Sequence, residues 1–242
     1  MRLFFSKANE KQTANTMTLL NFIYVLVAAA IAYLLIKRTL AKAERQRQIP
    51  DLLFAEVKFF FTNAEIKPGE SIGSHIMVGN YAGHQFELKT ITDTLNTRKL
   101  PSLWLMVTLK YPIPIKHTLD MMLRPASSST FSNFDFLPFT ILTPPEFPQH
   151  AVLHSDKDHA PFDLKLLRTI LTFFDNPRAK EFLATPNGLR LVTQLSEAER
   201  GRYVVAREAR FDSTTIDADE TKNTIELLLA LKNDLQQQYP HE

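Results

Sequence analysis

The chain has 242 residues, 45% of them apolar and 22% charged, with no cysteine and a formal net charge of +2. Those fractions exclude wholesale disorder and collagen-like or fibrous repeats. The missing cysteine excludes a disulfide framework, a thiolate zinc finger, an iron–sulfur cluster and a thiol nucleophile, but leaves the redox compartment open.

A polar tail over 1–16 leads into Met17–Ile36, a stretch without a single charge. As a helix rising ~1.5 Å per residue it spans roughly 30 Å, the thickness of a bilayer's hydrocarbon core. Lys37 and Arg38 close it, and Tyr24 and Tyr33 suit the two interfaces. The pattern predicts one transmembrane helix over 17–38, with Phe22, Ile23, Tyr24, Tyr33, Leu34 and Leu35 among its anchoring residues. A buried helix of a globular core would need a polar face, and this stretch has none. A cleaved signal peptide is the other alternative; the long leader and the apolar Leu34-Leu35-Ile36 beyond the Ala-rich part argue against it. Basic residues are fewer before the span (Arg2, Lys7, Lys11) than after it (Lys37, Arg38, Lys42, Arg45, Arg47). That bias orients the N-terminus out and places the C-terminal domain in the cytoplasm.

Residues 39–50 read as a basic, helix-favouring juxtamembrane linker ended by Pro50, with Asp51 an N-cap for the apolar segment after it. That apolar run, from Leu52 to Phe61, is expected in the domain core. Strand-like runs cover Ile72–Val78 and Gln85–Ile91, joined by a hairpin connection over Gly79–Gly83. Leu103–Tyr111 is another strand, carrying Trp104 as a core residue, and Pro112 and Pro114 end it. His117–Leu123 suggests a further short strand.

Residues 125–148 combine five prolines with Phe131, Phe134, Phe136, Phe139 and Phe147. Such a stretch is too aromatic for a solvated linker. It is either an excursion pinned to its own core or a partner-binding surface, with Phe131, Phe134, Phe136 and Phe139 as the contact residues. Beyond it, Ala151–His154 reads as a strand, and Pro161 opens a helix through Phe174. Asn176-Pro177 is expected to start a second helix reaching about Ala184. Leu189–Leu195 and Arg202–Arg207 read as a β-hairpin. Asp217 and Glu220 open a last helix with an acidic first turn and an apolar stripe of Ile225, Leu228, Leu231 and Leu235. The fold class predicted is α+β: a single transmembrane helix, then a mixed α+β soluble domain over 51–242 with mainly antiparallel strands.

The strongest candidate for chemistry is His150, His154 and Asp156, set among Asp158, His159 and Asp163. On an extended chain His150 and His154 face one way, and imidazole with carboxylate suits zinc or manganese. The spacing matches no established ligand pattern, and a solvated turn explains the same residues. No Gly-x-Ser-x-Gly elbow is present, Gly69–Ser74 lacks the lysine of a phosphate loop, and no acid–base pair stands out, so no catalytic residue and no cofactor is assigned. Residues 1–50 hold eight Lys/Arg against two Asp/Glu, a net of +6; the remainder holds twenty against twenty-four, a net of −4. An acidic domain repels a phosphate backbone, which excludes nucleic acid as the expected partner. The reading that results is a single-pass, membrane-anchored accessory or protein-binding subunit whose partners are the lipid bilayer and a protein. A metal-dependent hydrolase using His150, His154 and Asp156, or a lipid- or ligand-sensing domain, are the alternatives.

Overall fold

In a computed structural model of the chain, the described residues are 24, 26–27, 29–38, 52–69, 74–93, 100–125, 131–206, 209, 211 and 215–239. The chain divides into two units, Met1–Ile49 and Pro50–Glu242. In the first, the described residues of 24–38 are helical, and Tyr24, Tyr33, Leu34 and Leu35 are all exposed on that helix. Phe22, Ile23 and the rest of the predicted span's first part lie outside the described residues, as do the tail over 1–16, the linker over 39–50 and Asp51. Among the described residues, no helix is long and apolar enough to cross a membrane.

Among its described residues, the second unit is dominated by one nine-stranded sheet in the order β1-β2-β3-β4-β9-β8-β5-β7-β6, every pair antiparallel. The strands are β1 Thr62–Pro68, β2 His75–Tyr81, β3 His84–Asp93, β4 Ser102–Lys110, β5 Leu119–Leu123, β6 Phe139–Ile141, β7 Ala151–Ser155, β8 Ala179–Thr185 and β9 Gly188–Glu197. Three α-helices accompany them among the described residues of this unit: α1 Arg168–Leu171, α2 Arg200–Ala206 and α3 Ala218–Gln238.

The turns explain much of the register. Between β2 and β3 only Ala82 and Gly83 remain outside the ladder, and both take positive φ, 48° and 79°. That is the twist a two-residue hairpin needs. The broader connection expected over Gly79–Gly83 is therefore mostly strand. Gly79 serves another purpose: a Cβ there would lie 2.9 Å from Phe61 Cβ, so its lack of a side chain lets that ring close on the sheet. At the β8–β9 turn, a Cβ on Gly188 would collide with the Leu109 carbonyl oxygen.

Side chains alternate between two faces along each strand. Leu105, Val107 and Leu109 of β4 enter the main core with Phe182 of β8 and Leu119 of β5. Helix α3 joins this cluster through Ile225, Leu228, Leu231 and Leu235, all fully buried. Burying each such side chain contributes about 1.5–3 kcal/mol. The Asp217 carboxylate caps α3 by accepting from the Glu220 amide at 2.7 Å, as the acidic opening of that segment predicts. Leu53, Phe54, Val57 and Phe61 belong to the same core, while Leu52 and Phe59 of that apolar run are exposed.

Several expectations need correction. Residues 177–184 are not a helix: Ala179–Thr185 is β8, held between β5 and β9. Within Arg202–Arg207 the described residues up to Ala206 belong to α2, not to a hairpin strand. The helix expected from Pro161 to Phe174 is a broken run, with 3-10 turns at Leu164–Leu167 and Thr172–Asp175 on either side of a single α turn. Strands β1 and β6, at the two ends of the sheet, lie outside every strand expected from the sequence.

Candidate functional site

The second face of the sheet carries a smaller apolar cluster of Ile91, Met106, Met122, Phe131, Phe134 and Val192, with Trp104 and Val152 against it. Its cover is the segment 131–137. Phe131 packs on Trp104 with ring centroids 4.9 Å apart, and Phe134 stacks on His154 at 4.0 Å with the planes nearly parallel. A short 3-10 turn, Phe134–Phe136, follows. Phe131 and Phe134 are thus buried, whereas Phe136 is 83% and Phe139 42% exposed. The four phenylalanines expected to bind a partner divide into two that pin the segment down and two that it displays.

Beneath this cover lie two acids that no motif in the sequence singles out. Asp120 of β5 and Glu181 of β8 are 1% and 0% exposed. Asp120 pairs with Leu183 and Met122 with Glu181 across the β5–β8 ladder, so the two acids are diagonal neighbours on one face. Ser132, from the cover, donates to Glu181 Oε1 and lies 3.4 Å from Asp120 Oδ2, while its oxygen accepts from the Phe134 amide. A hydroxyl has one hydrogen and cannot donate to both carboxylates. Among the described residues, Asp120 Oδ1 and Glu181 Oε2 have no hydrogen-bond partner, nor has the buried Trp104 indole nitrogen.

Burial, and then the neighbouring charge of Glu181, raises the Asp120 carboxyl well above the usual carboxylate range. Burial raises Glu181 too, against the opposing effects of its hydrogen bonds from Ser132 and Asp120 and the positive charges of Arg190 and Lys180. Both shifts favour a proton held by the pair, the stronger one on Asp120. Arg190 is itself held by Nε donating to Thr108 Oγ1 at 3.2 Å.

The predicted metal set is not assembled. His154 pairs across the ladder with Asp120, but both of its ring nitrogens are engaged: Nδ1 donates to the Phe134 carbonyl at 3.1 Å, and Nε2 accepts from Thr140 Oγ1 at 3.2 Å. Asp156 Oδ1 accepts from the Thr118 amide, and His150 sits exposed in a turn with φ 117°, its carbonyl bonded by the Arg124 amide. Asp163 caps the following 3-10 turn, and Asp158 pairs with His159 at the surface. Among the described residues no group of three or more His, Asp or Glu is gathered to hold a metal ion. Ser132 is not an activated nucleophile either, because its hydroxyl is bonded to acids and His154 turns its nitrogens elsewhere.

The one sequence signal of this pair is an acid inside the apolar run Leu-Asp-Met-Met-Leu of β5. Its partner Glu181 is hidden by the helical appearance of β8. No family model matches the chain, and no curated protein matches it in sequence. Among solved structures, the crystal structure of the mycobacterial trehalose monomycolate transport factor A, TtfA, is similar over 81% of this chain and 98% of that chain, with a TM-score of 0.47 and 9% identity.

Proposed function

We propose that this chain is a membrane-anchored, non-catalytic protein-binding subunit that presents the end of its sheet to a protein partner. The observation that carries this reading is the rim formed by Phe136, Phe139 and Leu142, respectively 83%, 42% and 89% exposed within seven residues. Large apolar side chains clustered at a surface mark interaction sites more often than isolated ones do. Phe139 opens β6 and the other two flank it; β6 is the last strand of the sheet order and among the described residues pairs only with β7. An end strand of this kind offers unpaired backbone groups along with side chains, the combination that strand-adding partners use.

The rim's rigidity supports the same reading. Phe131 and Phe134 fix the segment that leads into it, so ordering the surface costs little at the moment of binding. The uncharged stretch Met17–Ile36 supplies the anchor, and tethering raises the domain's effective concentration beside membrane partners. The basic excess after that stretch supports an N-terminus outside and the domain in the cytoplasm.

The test is co-purification from gently solubilised membranes. Substituting Phe136, Phe139 and Leu142 together by Ser is expected to remove a protein that travels with the wild-type chain, while Phe59→Ser, at another exposed ring, retains it. Equal recovery with both variants would refute the rim as a binding surface. Extraction of the chain from membranes by alkaline carbonate alone would refute the anchor.

A further inference from the structure

Asp120 and Glu181 are not used by the function proposed above, yet burying two acids side by side is costly unless something compensates. The groups that face them come from every surrounding element. His154 of β7 is the cross-strand neighbour of Asp120. The positive charge of Arg190 on β9 reaches both carboxyls, and that of Lys180 reaches Glu181. From the cover come the Ser132 hydroxyl and, at the surface, Asp135. Among the described residues, the donors are thus one hydroxyl hydrogen and charge at a distance, and two carboxyl oxygens receive nothing. A single proton held between the two acids fills this deficit. A metal ion fits less well, because Arg190 already brings positive charge and no third ligating His, Asp or Glu joins the pair among the described residues.

We propose that Asp120 and Glu181 form a proton-binding site that locks the segment 131–137 onto the second face of the sheet. With the proton bound, Ser132 bridges to the pair, and Phe131 and Phe134 stay seated on Trp104 and His154. When the proton leaves to solvent, two adjacent carboxylates remain; they repel one another, draw in water, and lift the segment at Ser132. Lifting bares Trp104 and His154. It also moves Phe136, which belongs to the same segment; the effect on a partner rests on the proposed function, whereas the lock itself does not.

Trp104 is the chain's single tryptophan and lies against Phe131, so it reports the lock directly without any partner. In the purified full-length protein in detergent, raising the pH from mildly acidic to mildly alkaline is expected to shift Trp104 emission to the red. Quenching by acrylamide should rise in step, while the far-ultraviolet circular dichroism stays constant. Asp120→Asn and Glu181→Gln should each abolish the transition, and either one suffices if the other fails to fold. His154→Gln should retain it. The proposal is overturned if wild-type Trp104 does not respond to pH, if both carboxyl variants respond as wild type does, or if the transition disappears only in His154→Gln. Because no partner enters the measurement, its failure leaves the rim untouched, and loss of the rim leaves the lock untouched.

Discussion

Phe182 and Glu181 are consecutive residues of β8, both fully buried, and they face opposite sides of the sheet. Phe182 joins the α3 residues Leu228 and Leu231 in a cluster of apolar side chains. Glu181 faces a second acid, a serine and a detachable cover. The first face derives its stability from area removed from water, which is indifferent to pH. The second is stable only while its polar atoms are satisfied. One sheet therefore combines a permanent face with a conditional one.

The largest effect expected on the permanent face is that of Phe182→Ala. Emptying the space of a fully buried ring should cost about 3–5 kcal/mol, read by urea unfolding, and should cost the same at acidic and neutral pH. A loss that varied strongly with pH would break the distinction between the faces.

The conditional face should show its own pH slope. Both carboxyls are raised in the folded state above their ordinary values of 3.8 and 4.5. The folded chain thus holds a proton that the unfolded chain has released. Stability is complete below those ordinary values and declines as pH rises toward the raised ones, by up to about 1.4 kcal/mol per pH unit for one proton. Unfolding curves of Asp120→Asn should lose this slope; an unchanged slope would assign it to other groups.

Smaller effects sharpen the comparison. Removing the α3 cap by Asp217→Ala should cost about 1 kcal/mol, since the Glu220 amide loses its 2.7 Å acceptor. Phe136→Ser, at a ring that is almost wholly in water, should change unfolding stability by less than about 0.5 kcal/mol while lowering partner recovery. A large stability loss there would mean that the rim is structural.

Legibility from sequence divides along the same line. β4, β7 and α3 are legible because each alternates or repeats at the period of its own element, and α3 announces itself with Asp217. β8 is not: Ala, Lys, Glu and Leu favour a helix after Pro177, and only pairing with β5 and β9 overrides that preference. Arg200–Ala206 misleads in the opposite sense, because Tyr203, Val204 and Val205 favour strands yet lie in α2. The acid pair is out of reach for a related reason. Its members stand far apart in the chain and meet only through the β5–β8 ladder, which a helical β8 would conceal. The aromatic segment stands out by its composition, but which rings turn inward depends on Trp104 and His154 lying beneath them.

The strand order also bears on how the protein is made. Among the described strands β9 comes last in the sequence, yet it lies between β4 and β8 in the sheet. Until residues 188–197 have left the ribosome, β4 and β8 each present an unpaired edge, the kind of surface that recruits foreign strands. The nascent chain must protect the β4 edge from the time Lys110 emerges until β9 follows, and completion of the sheet is a late event that joins its two halves, β1–β4 and β5–β8. A chain truncated before Gly188 would be expected to aggregate, whereas one truncated within α3 would still complete the sheet.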